Sequence, residues 1–317
     1  MRAIFILFAK VGKQQHFELG KYLRRRYRKL IGTRYSADKV YIRSSDTDRT
    51  LMSAQCNAAG WFEPTEGEVW NKALAWQPIP IHTVPYNEDY LLVHDLICPR
   101  HTQLYKEFTE STKFKYNMNR SADLISFLSL KTGRTLSNPI EVMYLIMLLE
   151  EEKERGFDLP SWVNDISRYT NDTLEQISTI HMESFTHTNE MKKIKAGFLI
   201  KEMFDRFKNK SLSLLQPHLS IWAYSAHDLN IVSVLNALNL YELHVPPYAS
   251  SLFFELYRQN DSYFVQLFYR KTPTENVPAL NIPNCGTMCP LDKFYVLYRH
   301  ILPTDYEDFE SLCRLST

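Results

Sequence analysis

Apolar positions along this chain recur with two periods, and the changes between them mark its elements. Over 12–31 the residues Phe17, Tyr22, Leu23, Tyr27, Leu30 and Ile31 run at roughly helical spacing through a basic cluster of Lys21, Arg24, Arg25, Arg26, Arg28 and Lys29. This predicts an amphipathic helix with a solvated basic face, closed by Gly32. The apolar run Ala3–Phe8 ahead of it is ambiguous by itself and fits a short buried strand as well as the short apolar part of a leader. Lys39–Arg43 is a β-rich run, Ser44–Asp48 is dense in helix-capping residues, and Arg49–Gly60 is helical. Pro78, Pro80 and Pro85 then break the chain. From Tyr86 to Thr188 the pattern is helical, with Gln103–Phe108, Asp123–Leu130, Ile140–Arg155 and Asp172–Phe185 as the candidate segments and almost no strand-like alternation. Helix signal resumes over Glu190–Asn209, where Ile200, Met203, Phe204 and Phe207 share a face. It leads into an apolar strand ending near Ser225, then into a helix carrying Ile231, Val234, Leu235 and Leu238. Leu252–Tyr257 and Tyr263–Tyr269 flank Gln259-Asn260-Asp261-Ser262, a hairpin signature, and a short helix over Pro290–His300 precedes a polar tail. The division that follows is an α/β core built from 1–85 and 189–317, with a helical cap inserted over 86–188.

Two strand-to-helix junctions carry candidate chemistry. Arg43 ends the first strand, and Ser225-Ala226-His227-Asp228 joins the apolar strand to its helix. In open α/β sheets ligands bind beyond the carboxyl ends of the strands. The unpaired N–H groups of a helix start suit a phosphate. Two strands of one sheet would put Arg43 and His227 on the same rim. A plainer reading stands beside this one: Asp228 caps its helix, His227 is a turn residue, and Arg43 pairs with a carboxylate such as Asp46 or Asp228.

Composition narrows the class. With 317 residues, 44% hydrophobic content and a net charge of +1, the chain is of ordinary globular composition, and nucleic acid is not its default partner. No apolar run reaches the roughly 18 residues of a membrane span. Met1–Lys10 does not make a convincing signal peptide. Five cysteines leave at least one thiol over; Cys285 and Cys289 flank a loop short enough to close on itself. No second Cys or His pair completes a zinc site nearby, and no metal or other cofactor is expected. Sequons occur at Asn119, Asn171, Asn209 and Asn260.

The block Val40-Tyr41-Ile42-Arg43-Ser44-Ser45-Asp46-Thr47-Asp48-Arg49-Thr50-Leu51-Met52-Ser53-Ala54 resembles a signature of the histidine acid phosphatases. Gln77–Pro85, Leu159–Trp162, Tyr224–Asp228 and Pro246–Ser250 continue it in the family's order, most like the prostatic and lysosomal branch. The resemblance runs from about Gly12 to Cys313. It implies a phosphoglycerate-mutase-like core sheet flanked by helices, with an inserted helical cap, and hydrolysis of phosphate monoesters at acid pH through a phosphohistidine. It makes Arg43 a phosphate-binding arginine, His227 the second active-site histidine at the phosphate, and Asp228 the proton donor. It also implies a phosphate monoester or inorganic phosphate as ligand, a homodimer, and a secreted or lysosomal location. Cys98 would pair with Cys313 and Cys285 with Cys289, leaving Cys56 free; the family's third bridge is replaced by Ser251 and Glu151.

One departure is large. The family's R-H-G-x-R-x-P block, which carries the nucleophile and two phosphate-binding arginines, does not occur, and Phe8 runs straight into Ala9. His16 lies on the following helix and is no substitute. Two function classes follow: an acid phosphatase whose complete form carries the block, so that this polypeptide is inactive, or a non-catalytic relative that binds phosphate esters or a partner. A phosphoglycerate-mutase-type metabolic enzyme fits less well, because the cap and tail follow the acid phosphatase pattern.

Overall fold

The computed structural model describes residues 2–93, 97–137, 139–154, 156–168, 177, 180, 182–274, 276–304 and 306–315. It opens on α1 (Arg2–Ile31), whose end is set by Gly32: at φ 82° its N–H turns back to Arg28 O at 2.9 Å. The run Ala3–Phe8, whose pattern fits a buried strand, is instead the beginning of this helix. Ala, Leu and Phe are tolerated in helices, and no turn residue precedes Gly12, whose cost of about 1 kcal/mol does not stop a long helix. Helix α2 (Asp48–Trp61) packs along α1 through two glycines. A Cβ on Gly20 would lie 2.1 Å from Asn57 O, and one on Gly60 2.0 Å from Phe17 O.

The strands form one layer in two pieces. β1 (Val40–Ser44) and β2 (Ile221–Ser225) pair in parallel, Arg43 opposite Tyr224. β3 (Ser251–Gln259) and β4 (Ser262–Arg270) form the expected hairpin, turning through Asn260 and Asp261 at positive φ, and β4 also pairs with β5 (Cys289–Pro290). Both pieces share both faces. Val40, Ile42, Ile221, Ala223, Phe253 and Phe268 belong to the core that α1 and α2 close. On the opposite face Tyr224, Leu252, Phe254, Val265 and Leu267 pack with α7 (Phe198–Ser211), α8 (Asp228–Ala237) and α9 (Leu291–Tyr298). Among the described residues β2 pairs only with β1 and β3 only with β4. Accordingly β2 is half-buried along its length and β3 over its first part, while β1 buries alternate residues and β4 its last four. The described strands thus fall into a two-stranded and a three-stranded sheet where the resemblance implies one core sheet, and Ala3–Phe8 contributes no strand to either.

Between the Pro85 region and Thr188 the described residues are helical or irregular: α3 (Pro99–Glu110), α4 (Thr112–Arg120), α5 (Ala122–Thr132), α6 (Pro139–Glu154) and a 3-10 turn over Ser161–Arg168. The segment Asp172–Phe185 and the sequon at Asn171 lie largely outside the described residues. Leu124, Leu128, Val142 and Ile177 form a separate small core there. Met143 and Met147 of α6 pack with Leu229 and Val232 of α8, which brings α6 against the start of that helix. Cys98 is bridged to Cys313 in α10 (Tyr306–Cys313), and Cys285 to Cys289; Cys56 is free. These are the pairings the resemblance implies.

Candidate functional site

The carboxyl ends of β1 and β2 are laced together. Ser44 N donates to His82 O at 2.8 Å and Ser45 N to Ser225 O at 3.0 Å. Ser225 Oγ donates to Thr50 O at 2.8 Å, which ties the end of β2 to the first turn of α2. Ser45 Oγ lies 2.9 Å from Thr50 Oγ1. The starts of α2 and α8 therefore meet at one rim, and each brings the partial positive charge of a helix N-terminus there.

His227 is the residue that caps α8, with extended backbone at φ −111° and ψ 159°. Its N–H donates to Asn230 Oδ1 at 3.0 Å, and Asn230 N returns a bond to His227 O at 3.0 Å. Capping thus falls to His227 and Asn230, and Asp228 sits in the first turn of the helix with Oδ1 accepting from Leu229 N at 2.8 Å. The imidazole faces the other strand: Nε2 lies 3.2 Å from Ser45 Oγ and Nδ1 3.3 Å from Arg49 Nη2. A guanidinium only donates, so Nδ1 accepts from Arg49 and the ring proton sits on Nε2, where it donates to Ser45. His227 and Asp228 are both half-buried.

Arg43 reaches the same rim from β1, two residues before Ser45. Its partner is neither Asp46 nor Asp228 but Asp89, with Nη2 2.5 Å from Oδ1. Asp89 is fully buried and also accepts from Leu91 N at 3.1 Å and Leu92 N at 3.0 Å. Burial dominates its titration and raises its pKa above the usual carboxylate range, against the opposing pull of Arg43 and the two amides. Asp89 Oδ2 and Arg43 Nε are buried and have no hydrogen-bond partner among the described residues. Among the described residues Arg43 Nη1 has no hydrogen-bond partner, and it is not one of the buried unpaired atoms. Asn230 Nδ2 donates to Leu92 O at 3.1 Å, joining the Asp89 turn to the start of α8.

The structure therefore brings Arg43, His227 and Asp228 to one end of the parallel pair. It adds four residues that sequence reasoning did not single out: Ser45, Arg49, Asp89 and Asn230. Two had a signal. Asn230 stands three residues after His227, the spacing of a capping box. Arg49 is a cation in the first turn of a helix, where the dipole disfavours it unless something else uses its charge. Asp89 had none, since Asn87-Glu88-Asp89 reads as a polar loop. His16, on α1, has its pKa lowered to about 4 by burial, and its carbonyl accepts from Asn57 Nδ2 at 3.4 Å. Tyr144 of α6 is exposed, and partial desolvation together with the negative charge of Asp228 raises its pKa.

An arginine and a histidine thus meet on the carboxyl rim of paired parallel strands, with an aspartate in the first turn of the helix that follows. The chain belongs to the histidine phosphatase superfamily (branch 2), whose profile matches residues 7–270. Among its relatives it is similar to the prostatic acid phosphatase of Homo sapiens, at 34% identity over 94% of this chain and 77% of that one. It is similar to the prostatic acid phosphatase of Rattus norvegicus at 36% over 94% and 78%, and to the human lysosomal acid phosphatase at 33% over 94% and 70%. Of solved structures, the phytase of Klebsiella sp ASR1 shares the fold at a TM-score of 0.63 and 16% identity, with 96% of this chain and 88% of that one covered. The Hafnia alvei phytase in complex with myo-inositol hexakis sulphate gives 0.64 at 16% identity and the same coverage.

Proposed function

We propose that the chain binds a phosphate monoester or inorganic phosphate between Arg43 and His227, with Asp228 on the leaving-group side, and that a polypeptide of this sequence does not turn the ester over. The observation that carries the reading is the rim itself: a guanidinium arm without a hydrogen-bond partner among the described residues and an imidazole joined through Ser45, at the starts of two helices. Arg43 and the helix N-termini neutralise the anion. Asp228 is placed to give a proton to a departing alkoxide. The family's two-step displacement also needs a nucleophile, and the R-H-G-x-R-x-P block that supplies it is not in this sequence. General acid catalysis alone contributes roughly 10²–10⁴-fold, far short of the up to ~10²¹-fold that monoester hydrolysis demands.

The test has two parts. Calorimetric titration of phosphate is expected to show weak binding that vanishes in Arg43→Ala; unchanged binding in that variant would move the site elsewhere. The chain as it stands and a version with R-H-G-x-R-x-P and its flanking loop restored after Phe8 are assayed on an aryl phosphate near pH 5. Activity is expected in the restored chain alone. Comparable activity in both, lost in His227→Ala, would mean that another nucleophile operates and would end the non-catalytic reading.

The same reading takes 86–188 as a cap over the rim, with Tyr144 at its mouth. It also takes the protein as a secreted or lysosomal homodimer. Disulfides fit an oxidising compartment, and the sequons at Asn119, Asn209 and Asn260 are exposed. Val69, Trp70, Leu74 and Trp76 form an exposed apolar stretch suited to burial between two copies.

A further inference from the structure

Asp89 has no part in the chemistry set out above, yet it is the group that bonds Arg43. The pair has an unusual balance. Asp89 is fully buried and Arg43 nearly so, at 14% side-chain exposure. One carboxylate oxygen takes all three hydrogen bonds, from Arg43 Nη2, Leu91 N and Leu92 N. The other oxygen is buried with no partner among the described residues. A buried carboxylate with an unpaired oxygen carries the full cost of its desolvation, and the neutral acid does not. The negative charge also lies against the cation that a phosphate group would need. An ionised Asp89 cancels part of the field of Arg43, and an anion arriving at the rim meets a guanidinium already neutralised from behind.

We propose that Asp89 competes with the anion for Arg43, so that the rim holds a phosphate group most tightly when the Asp89 carboxyl is protonated. The inference rests on the reading of the Arg43–His227 rim as a phosphate site. It makes acid uptake of the ligand a property of a residue that need not touch the ligand. The direction of the Asp89 shift agrees, since burial outweighs Arg43 and raises its pKa. The charged and titratable groups on the elements around it are Tyr41 and Arg43 on β1, Asp46 just before α2, Asp48, Arg49 and Cys56 on α2, His227 and Asp228 at the start of α8, His82 in the segment bridged to β1, and Glu88 and Tyr90 in its own turn. Of these, Arg43 is the one that bonds the carboxylate. Asp228, Asp46 and Asp48 are further negative charges at the helix starts of the rim, and their effect on an anion has the same sign. Protonation of His227 would also favour an anion at low pH, so its contribution has to be cancelled in the test.

Sulfate serves as the probe because its charge is constant across the range. The full chain and Asp89→Asn, which keeps an acceptor for Arg43 and removes the charge, are titrated with sulfate from pH 4.5 to 7.5. The quantity read is the ratio of their affinities at each pH, in which the titration of His227 divides out. At pH 7.5 Asp89→Asn is expected to bind sulfate about tenfold more tightly, the scale of one close charge, and the ratio is expected to fall toward one at pH 4.5. A ratio of one throughout, or weaker binding by the variant at every pH, would overturn the proposal and leave Asp89 a structural residue. A wild-type chain that binds no sulfate at any pH would instead remove the phosphate site, and this inference with it. A second measurement needs no variant. Binding that favours the protonated acid must, by reciprocity, favour protonation when the anion is bound. The Asp89 carboxyl carbon followed by NMR is therefore expected to titrate at higher pH with sulfate than without, and an unchanged midpoint would count against the proposal.

Discussion

A largely buried arginine–carboxylate pair ties each piece of the strand layer to a neighbouring segment, Arg26–Glu255 from α1 to β3 and Arg43–Asp89 from β1 to the Asp89 turn, and the two are built differently. In the antiparallel piece Arg26 Nε lies 2.8 Å from Glu255 Oε1 while Arg26 Nη1 reaches Tyr22 OH at 3.2 Å. Tyr27 OH donates to the same Glu255 oxygen at 2.6 Å, and Tyr257 OH donates to the other. The guanidinium also lies over Phe268 at 4.5 Å and Phe253 at 5.4 Å from the ring centroids. Both carboxylate oxygens are satisfied, and the cation has aromatic faces on top of its ion pair. In the parallel piece Arg43 and Asp89 are more deeply buried, yet Arg43 Nε and Asp89 Oδ2 lack partners among the described residues. A fully bonded buried pair fixes α1 onto β3. A half-bonded one, at the rim where two helices start, keeps binding capacity in reserve. The difference separates a structural ion pair from one that lies at the proposed phosphate rim.

The largest expected effect breaks the structural pair. Arg26→Ala leaves Glu255, at 14% side-chain exposure, as a nearly buried carboxylate without its cation. Loss of one partner of such a pair costs roughly 3–5 kcal/mol, and lost stacking on Phe268 adds to it. Urea denaturation is expected to show that loss, with sulfate affinity of the folded protein unchanged. A loss under about 1 kcal/mol would mean that Tyr27 and Tyr257 hold Glu255 alone and that the two pairs are less different than they look.

A second effect sharpens the contrast through pH. The folded-state pKa of Asp89 is raised by burial, against roughly 3.9 when unfolded. Below the unfolded value both states are protonated and the group contributes nothing. As pH rises, the unfolded state releases its proton first, so the native state binds more protons and stability falls until the folded pKa is passed. Thermal melts of wild type and Asp89→Asn are therefore expected to diverge upward from about pH 4, with wild type losing ground. Parallel curves would show that Arg43 fully offsets the burial of Asp89.

How much of this was readable in advance depended on how local each signal is. The two strand-to-helix junctions, the Asn260-Asp261 turn and the α6 segment rest on patterns a few residues long, and the sequence carries those whole. Ala3–Phe8 does not: a short apolar run suits a strand or a helix equally until a partner is named, and among the described residues β2 and β3 each offer one edge with nothing paired to it. Arg43 and His227 could be placed on one rim because each ends a recognisable element. Their neighbour Asp89 could not, since its importance lies in being fully buried beside a residue 46 positions away. The pairing of Cys98 with Cys313, 215 positions apart, came only with the resemblance to a family.

The smallest effect tests whether the Arg26–Glu255 network has capacity to spare. Tyr257 is the most exposed of the Glu255 partners, at 37%. Its own pKa is pushed up to about 12, first by burial and then by the Glu255 charge. Tyr257→Phe removes one hydroxyl donor from Glu255 Oε2 and leaves Oε1 with Arg26 and Tyr27. A partly exposed oxygen regains a water, so the net cost is that of one ordinary hydrogen bond, about 1 kcal/mol or less. A chemical denaturation midpoint little changed from wild type is the expected result. A loss comparable to that of Arg26→Ala would show that Glu255 depends on every one of its partners, and that the network on β3 is as finely balanced as the half-bonded pair at the rim.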